Sequence, residues 1–470
     1  MDRKKKAAKQ PGSQRRWMIP AGLLLLIITP FLIVFSIEKK CGAAWEEFLT
    51  KWQSSGEKFA LQHHLPTPVP DSENLALHPA LVPFLETQDP TIDWRQALPG
   101  DLPGWSENAY LRYLADLSEG KATNIFPSLG LLPCSPAEFR NHLGRPYREW
   151  SAQLDHYEQA VRERAYLAYE LDWSRLFIDH ELPDLSAYSN LGKAFLARAA
   201  IRRGLREARG SLEDLSTTMR LARCYDRLPL LLSHVLQTGL LTSLLDELRA
   251  GLEERFFDQS HLEQISALLE SAPSLPANYL AGLRFERALM LEFFNVVESS
   301  DNADLLPSLS SNKQSGVIRH ALNRRWMNAS RLALCEDQQE LFFGPGPKLA
   351  NVDHWHSALD LRLTDSWERF VAPLGHETLI SVQMGTALAK TVIIADATLQ
   401  RTHLAVALSR YRADRGRFPD QLKDLLPDYL PSLPEFDPSI DLDYQIMPRG
   451  RWCLSLQVPG AAPDDWEGGW

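Results

Sequence analysis

Cysteine is scarce in this sequence, and its spacing excludes two classes of site. The 470 residues contain five cysteines, and no two of them form a Cys-x-x-Cys pair. Zinc ribbons and thiol redox sites need such pairs, so both classes are excluded. The state of the thiols stays open, because one or two disulfides and buried free thiols fit the spacing equally well. The five residues are Cys41, Cys134, Cys224, Cys335 and Cys453.

The chain also lacks the short motifs of common hydrolases and nucleotide-binding enzymes. It contains no His-Glu-x-x-His, no Gly-x-Ser-x-Gly and no glycine-rich loop that ends in Lys and Ser or Thr. Those spacings bring together zinc ligands, a serine nucleophile or phosphate-binding amides. The loop at residues 342–347, FFGPGP, has prolines where a phosphate nest needs N–H donors, and is typical of a turn or hinge. We therefore assign no catalytic or cofactor-binding residue and expect no cofactor.

The densest group of possible metal ligands begins at Asp353 and continues through His354, His356 and Asp360. On a helix, His356 and Asp360 are four residues apart and share one face, whereas His354 points away from them. Two ligands do not complete a metal site, and a helix that starts at an Asp353 cap explains the same residues. We assign no metal site; His356 and Asp360 are the candidates if one exists.

The N-terminus is basic, whereas the rest of the chain is acidic. Residues 1–40 carry a net charge of +7, which leaves −17 on residues 41–470. Nucleic-acid binding needs basic surface against phosphate, so the acidic body excludes nucleic acid as a partner.

One long apolar run is present, at residues 17–37, and it contains no charged residue. As a helix these 21 residues span about 31 Å, the thickness of a bilayer's hydrocarbon core. Seven basic residues precede the run and two follow it closely, which predicts a cytoplasmic N-terminus and an extracytoplasmic body. We therefore predict a basic tail at 1–16 and a single-pass signal anchor at 17–37 in a bacterial inner membrane.

Two other interpretations of this run are weaker. The small residues at 41–44 resemble a signal-peptidase site, but the run is longer than a signal core and the charged residues 38–40 separate the two. Arg15 and Arg16 resemble a twin-arginine signal, but basic residues before a span are ordinary orienting charge.

Periodicity predicts a mainly helical body after the anchor. Residues 38–105 are predicted to form a juxtamembrane helix and a proline-rich spacer. Residues 106–390 are predicted to form an all-helical domain, either a bundle or an α-solenoid. Residues 188–228 resemble a tetratricopeptide hairpin, through Leu191-Gly192, Phe195 and an alanine-rich crossing, although no second copy follows at a 34-residue period. Within it, Gly210 is predicted to close one helix and Ser211 to cap the next.

Residues 391–460 are predicted to form a small α+β module with a β-hairpin, followed by a flexible tail at 461–470. A helix ends in the pattern Tyr-x-x-x-x-Gly-x-Phe-Pro at 411–419, where Gly416 is predicted to take the left-handed conformation that ends a helix. A short Leu-rich helix is predicted at 420–426, and the loop LPEFDP follows at 433–438. Strands are predicted at 441–447 and 452–458. The order resembles the module of major, G-type pseudopilins of type II secretion, although no prepilin processing site precedes the apolar run and Ser439-Ile440 replaces the usual aromatic and glycine. Calcium-site residues are therefore not carried over.

These patterns predict a mainly α protein with a single transmembrane helix, a helical body and a small α+β module. We expect a membrane-anchored binding or scaffolding protein rather than an enzyme, with a protein partner in the envelope and a link to an envelope or secretion assembly. A membrane-anchored hydrolase or metal enzyme is the alternative. A true pseudopilin-like subunit, processed by a prepilin peptidase, is a third.

Overall fold

The structure is a computed structural model, and it describes residues 36, 38–82, 136–171, 173, 184–299, 327–343, 373–437, 440–448, 451–458 and 464–469. The predicted anchor at 17–37 lies outside these residues except for Ser36. Among the helices of these ranges, none is both long and apolar enough to cross a bilayer.

The described chain is mainly helical, as predicted. Helix α1 comprises residues 38–54, and a π-helical turn, Gln339–Phe343, follows α8. The remaining helices are α2 Pro136–Glu163, α3 Ser186–Gly204, α4 Ala208–Cys224, α5 Leu231–Glu253, α6 Gln259–Glu270, α7 Leu275–Ser299, α8 Met327–Gln338 and α9 Pro373–Arg415.

Helix α5 lies at the centre of the body. It packs against α3, α4, α7 and α9, and Leu240, Leu241, Leu244 and Leu245 are all fully buried. Leucines are buried on several of its sides, which makes it a core helix. The exception is Leu232 in its first turn, which is 47% exposed.

Helices α3 and α4 form the hairpin predicted at 188–228, but its turn lies earlier than expected. Helix α3 ends at Gly204, and Arg206 takes the left-handed conformation with φ of 61°. The predicted boundary at Gly210 and Ser211 is wrong, because both residues lie in the first turn of α4. The Ser211 hydroxyl donates instead to the Ala199 carbonyl of α3 at 3.0 Å, so it joins the two helices.

Helix α9 connects the body to the C-terminal module. It packs against α5, α6, α7 and α8, and also against the C-terminal sheet. The predicted boundary at residue 391 falls inside this helix. One core cluster includes Trp45 of α1, the buried leucines of α5 and Leu456 of the sheet. The helical body and the module therefore share buried surface.

The C-terminal module follows the predicted order. Gly416 ends α9 with φ of 71°, a left-handed conformation that glycine adopts without strain, and its N–H donates to the Arg412 carbonyl. The short helix predicted at 420–426 is a 3₁₀ turn, Leu422–Leu425. The predicted hairpin is confirmed as β1, Asp441–Met447, and β2, Arg451–Gln457, which pair antiparallel.

A third strand, β3, spans Asp464–Gly469 and pairs antiparallel with β2. The prediction of a flexible tail at 461–470 is therefore wrong. Trp466 is 1% exposed and lies opposite Leu454 in the register, and burial of this side chain gives the strand a reason to be ordered.

The segment after the predicted anchor packs on the body. Trp45 and Phe48 of α1 are buried and, with Phe59, form a group of contacting rings. Leu75 and Leu81 in the predicted spacer are fully buried, and the Leu75 N–H donates to the Tyr166 carbonyl at 2.7 Å. The described part of the spacer therefore lies on the folded body.

Candidate functional site

The metal candidates of the sequence, His356 and Asp360, lie outside the described residues, as do Asp353 and His354. Within the described ranges, no three or more His, Cys, Asp or Glu side chains are grouped so as to hold a metal ion. Of the FFGPGP loop, only Phe342 and Phe343 are described, and both are buried.

The structure instead brings buried arginines together with carboxylates. Among the described residues, five arginine side chains are buried, and each forms an ion pair within 3.0 Å. Charge in a protein interior is tolerated only when it is paired and hydrogen-bonded. The pairs are Arg198 with Asp214, Arg203 with Glu247, Arg287 with Glu57, Arg331 with Glu298 and Arg401 with Asp464.

The pair that bears most directly on function joins the segment after the predicted anchor to helix α7. We call Glu57, Arg284, Arg287, Phe59 and Phe343 the anchor junction. One carboxylate oxygen, Glu57 Oε1, accepts from Arg284 at 3.0 Å and from Arg287 at 2.5 Å. Glu57 follows α1 and lies 230 positions from Arg287.

Aromatic rings complete the surroundings of Arg287. Its guanidinium lies 4.5 Å from the centre of the Phe59 ring and 4.7 Å from that of Phe343. Its Nη1 also donates to Gln339 Oε1 at 3.0 Å. The π-helical turn after α8 carries both Gln339 and Phe343, so this irregular turn supplies two of the contacts to one cation.

The electrostatics of the anchor junction favour a closed ion pair. Burial acts to raise the pKa of Glu57, but the Arg284 hydrogen bond and the charge of Arg287 outweigh it, so the pKa falls below its ordinary value. Burial lowers the pKa of Arg287, and the charge of Glu57 opposes that effect. Guanidinium remains charged at any physiological pH, so the junction keeps its charges.

A second contact ties the start of α1 to the body. The Asn328 N–H on α8 donates to Glu38 Oε1 at 3.2 Å. Burial raises the pKa of Glu38, and the hydrogen bond from Asn328 opposes the rise. Glu38 directly follows the predicted span, so the structure holds the chain from its first described residues.

The C-terminal sheet is held by a similar arrangement, which we call the sheet junction. Arg401 of α9 and Arg249 of α5 both lie over the Trp466 ring, at 5.7 and 5.2 Å. Arg401 pairs with Asp464 at 2.5 Å and also donates to its carbonyl at 2.7 Å. A cavity of about 10 Å³ lies beside Trp452 and Trp466. It has room for about one water molecule and is too small for a substrate.

Helices α2, α3 and α4 meet at Arg198, which is fully buried. It donates to Asp214 of α4 and to Asp155 and Glu158 of α2. Burial raises the pKa of Asp214 to about 7, although Arg198 and Arg202 act to lower it. Each of these carboxylates binds Arg198, so one buried cation joins three helices.

Sequence analysis missed these sites because arginine and glutamate on helices normally indicate solvent-exposed surface. One signal was available: Arg198 stands in an alanine-rich stretch whose neighbours are buried. Glu57 and Arg401 offered none, since their partners are distant in the sequence.

Comparison of the chain with protein-family models, curated proteins and solved structures gives no match.

Proposed function

We propose that this chain is a membrane-anchored binding or scaffolding protein of the bacterial inner membrane. Residues 17–37 span the bilayer, residues 1–16 lie in the cytoplasm, and the acidic body lies outside it. The body binds a protein partner in the envelope.

The anchor junction is the observation that carries this proposal. Glu38 contacts the body directly after the span, and Glu57 then pairs with two arginines of α7. A scaffold must hold its partner at a defined place, whereas a flexible tether would let the body move over many nanometres. The ion pairs and buried rings between residues 38 and 82 remove that freedom, so a partner is held at a fixed height above the membrane.

The C-terminal module supports the link to an envelope assembly. Residues 391–460 resemble a pseudopilin module in sequence, and the proposal is that this chain uses the module for packing within an assembly and not for filament growth. The absence of a processing motif before residue 17 favours this use over that of a processed pilin subunit.

Topology is the first test. Spheroplasts that carry the tagged full chain are treated with protease, and intact mass spectrometry follows the N-terminus of untreated protein. We expect digestion of the body without lysis and a chain that keeps residues 1–40. A body protected until lysis would contradict the orientation, and cleavage within 41–44 would replace the anchor by a signal peptide.

Partner capture is the second test. The full chain is crosslinked in intact cells, solubilised in detergent and isolated under stringent washing. A chain of residues 1–40 alone is the control, because it keeps the proposed anchor without the body. Envelope proteins recovered with the full chain and not with residues 1–40 support the proposal. Recovery of no envelope protein with the full chain would contradict it.

A further inference from the structure

The two outer strands of the C-terminal sheet differ in how their edges are covered. The sheet order is β1-β2-β3, so within the part of the chain that the structure describes β1 and β3 each have one edge without a neighbouring strand. At β3, arginines bind the backbone: Arg401 donates to the Asp464 carbonyl at 2.7 Å and Arg249 to the Asp465 carbonyl at 3.2 Å. Cover of this kind is how proteins protect a sheet edge from pairing.

Strand β1 carries no such cover from the described residues. Its side chains at Asp441, Asp443, Gln445 and Ile446 are exposed, and Ile446 is 48% exposed. The position and orientation of β1 are nevertheless fixed, because all seven of its residues pair with β2 and the Tyr444 hydroxyl donates to the Pro419 carbonyl at 2.8 Å. The edge is therefore rigid and open.

The surroundings of β1 are acidic. Residues 417–447 contain seven Asp or Glu and two Arg or Lys. Burial raises the pKa of Tyr444 to about 12, and the charges of Asp420 and Asp424 add to the rise, so both carboxylates act close to the strand. Arg417 offsets Asp420 through an exposed ion pair at 3.3 Å. The net field at this edge favours a cation.

We infer that β1 is a docking edge for an extended, basic polypeptide segment of a partner protein, which adds to the sheet as a fourth strand. Main-chain hydrogen bonds supply the general affinity of such strand addition, and side chains supply specificity. Lysine or arginine of the segment faces Asp441 and Asp443, and an apolar residue covers Ile446. A second copy of this chain is a poorer occupant, because pairing β1 with itself brings like charges together.

This inference deepens the proposed function, since it states the chemistry of the partner that the scaffold binds. The probe is a labelled ten-residue peptide of alternating lysine and valine, and binding to the full chain in mild detergent is followed by fluorescence anisotropy. A proline peptide of the same length and charge, with prolines at both odd and even positions, tests backbone pairing, because donors toward β1 are then lost in either register. A glutamate–valine peptide tests the sign of the charge.

The variant Asp443→Lys tests the site, and Asp441→Lys is a second variant in case the first fails to fold. Glu263→Lys, an exposed residue of α6, is the matched control with the same change in charge. We expect about tenfold weaker binding for either β1 variant, and a change of less than about twofold for the control. Hydrogen exchange should show new protection of amides in residues 440–448 when the peptide is bound.

Three results would overturn the inference. Equal binding of the proline peptide would indicate plain charge attraction, and an equal loss in Glu263→Lys would indicate an effect of overall charge. A concentration-dependent dimer that protects residues 440–448 and excludes the peptide would make a second copy the occupant. If the peptide fails to bind while partner capture succeeds, the docking edge on β1 is refuted and the proposed function stands. If the body is found in the cytoplasm, the proposed function is refuted, whether or not the peptide binds.

Discussion

Glu286 offers the sharpest test of how buried charge affects the stability of this fold. It lies on α7, and its Oε1 accepts the Leu231 N–H at 3.2 Å, at the first residue of α5. Burial raises the pKa of Glu286 to about 7 from an ordinary value of 4.5, and the bond from Leu231 opposes the rise only partly. The folded protein therefore favours the protonated form.

The direction in which stability changes with pH follows from the direction of the pKa shift of Glu286. A carboxyl group whose pKa is raised on folding stabilises the fold at low pH, and this contribution is lost as pH rises from about 4.5 through 7. Each pKa unit corresponds to about 1.4 kcal/mol, so ionised Glu286 destabilises the fold by about 3 kcal/mol at pH 8. Glu286→Gln keeps an oxygen for Leu231 but removes the charge. The buried amide donors that Gln adds cost about 1 kcal/mol. We therefore expect the free energy of unfolding at pH 8 to be about 2 kcal/mol higher in the variant than in the wild type.

The assay is urea unfolding of the purified full chain at pH 5 and pH 8. The variant and the wild type should differ by less than about 1 kcal/mol at pH 5. Glu286 is protonated in the folded wild type at this pH, and pH 5 lies close to the ordinary pKa of 4.5 in the unfolded chain, so little of the penalty is present. Glu263→Gln removes an exposed carboxyl of α6 and is the control, with little change expected at either pH. Equal stability of Glu286→Gln and wild type at pH 8 would refute the reasoning.

Three further predictions concern the anchor junction, the sheet and the metal candidates. Glu57→Gln should lower the free energy of unfolding by about 2–3 kcal/mol and speed hydrogen exchange in residues 38–82, because buried Arg287 and partly buried Arg284 lose their shared carboxylate. Exposed Glu46→Gln should change neither, and unchanged exchange in Glu57→Gln would contradict the junction. Gly468→Ala should lower the free energy of unfolding by about 1–3 kcal/mol, and with it the unfolding temperature, because the added Cβ would lie 2.2 Å from the Trp452 ring. An unchanged unfolding temperature would contradict that packing. His356→Ala should leave the metal content measured by mass spectrometry the same as in wild type, and loss of a stoichiometric metal would favour the metal-enzyme alternative.

Local patterns in the sequence determined the elements of this fold. Apolar residues at helical spacing predicted the body helices, and alternation predicted the strands at 441–447 and 452–458. Gly416 was predicted to end a helix because glycine takes the left-handed conformation without strain, and its φ is 71°. Each of these features depends on residues a few positions apart, which is why the sequence alone suffices for them.

Tertiary contacts decided the rest. The turn of the α3–α4 hairpin lies at Arg206 and not at Gly210, because Ser211 bonds back to α3. Strand β3 is ordered because Trp466 is buried against the sheet and beneath two arginines. Glu57 and Arg287 stand 230 positions apart, and nothing in the local pattern of either marks it as buried. A charged residue is buried only when an oppositely charged partner lies within hydrogen-bond distance, and the packing of the helices determines whether such a partner is there.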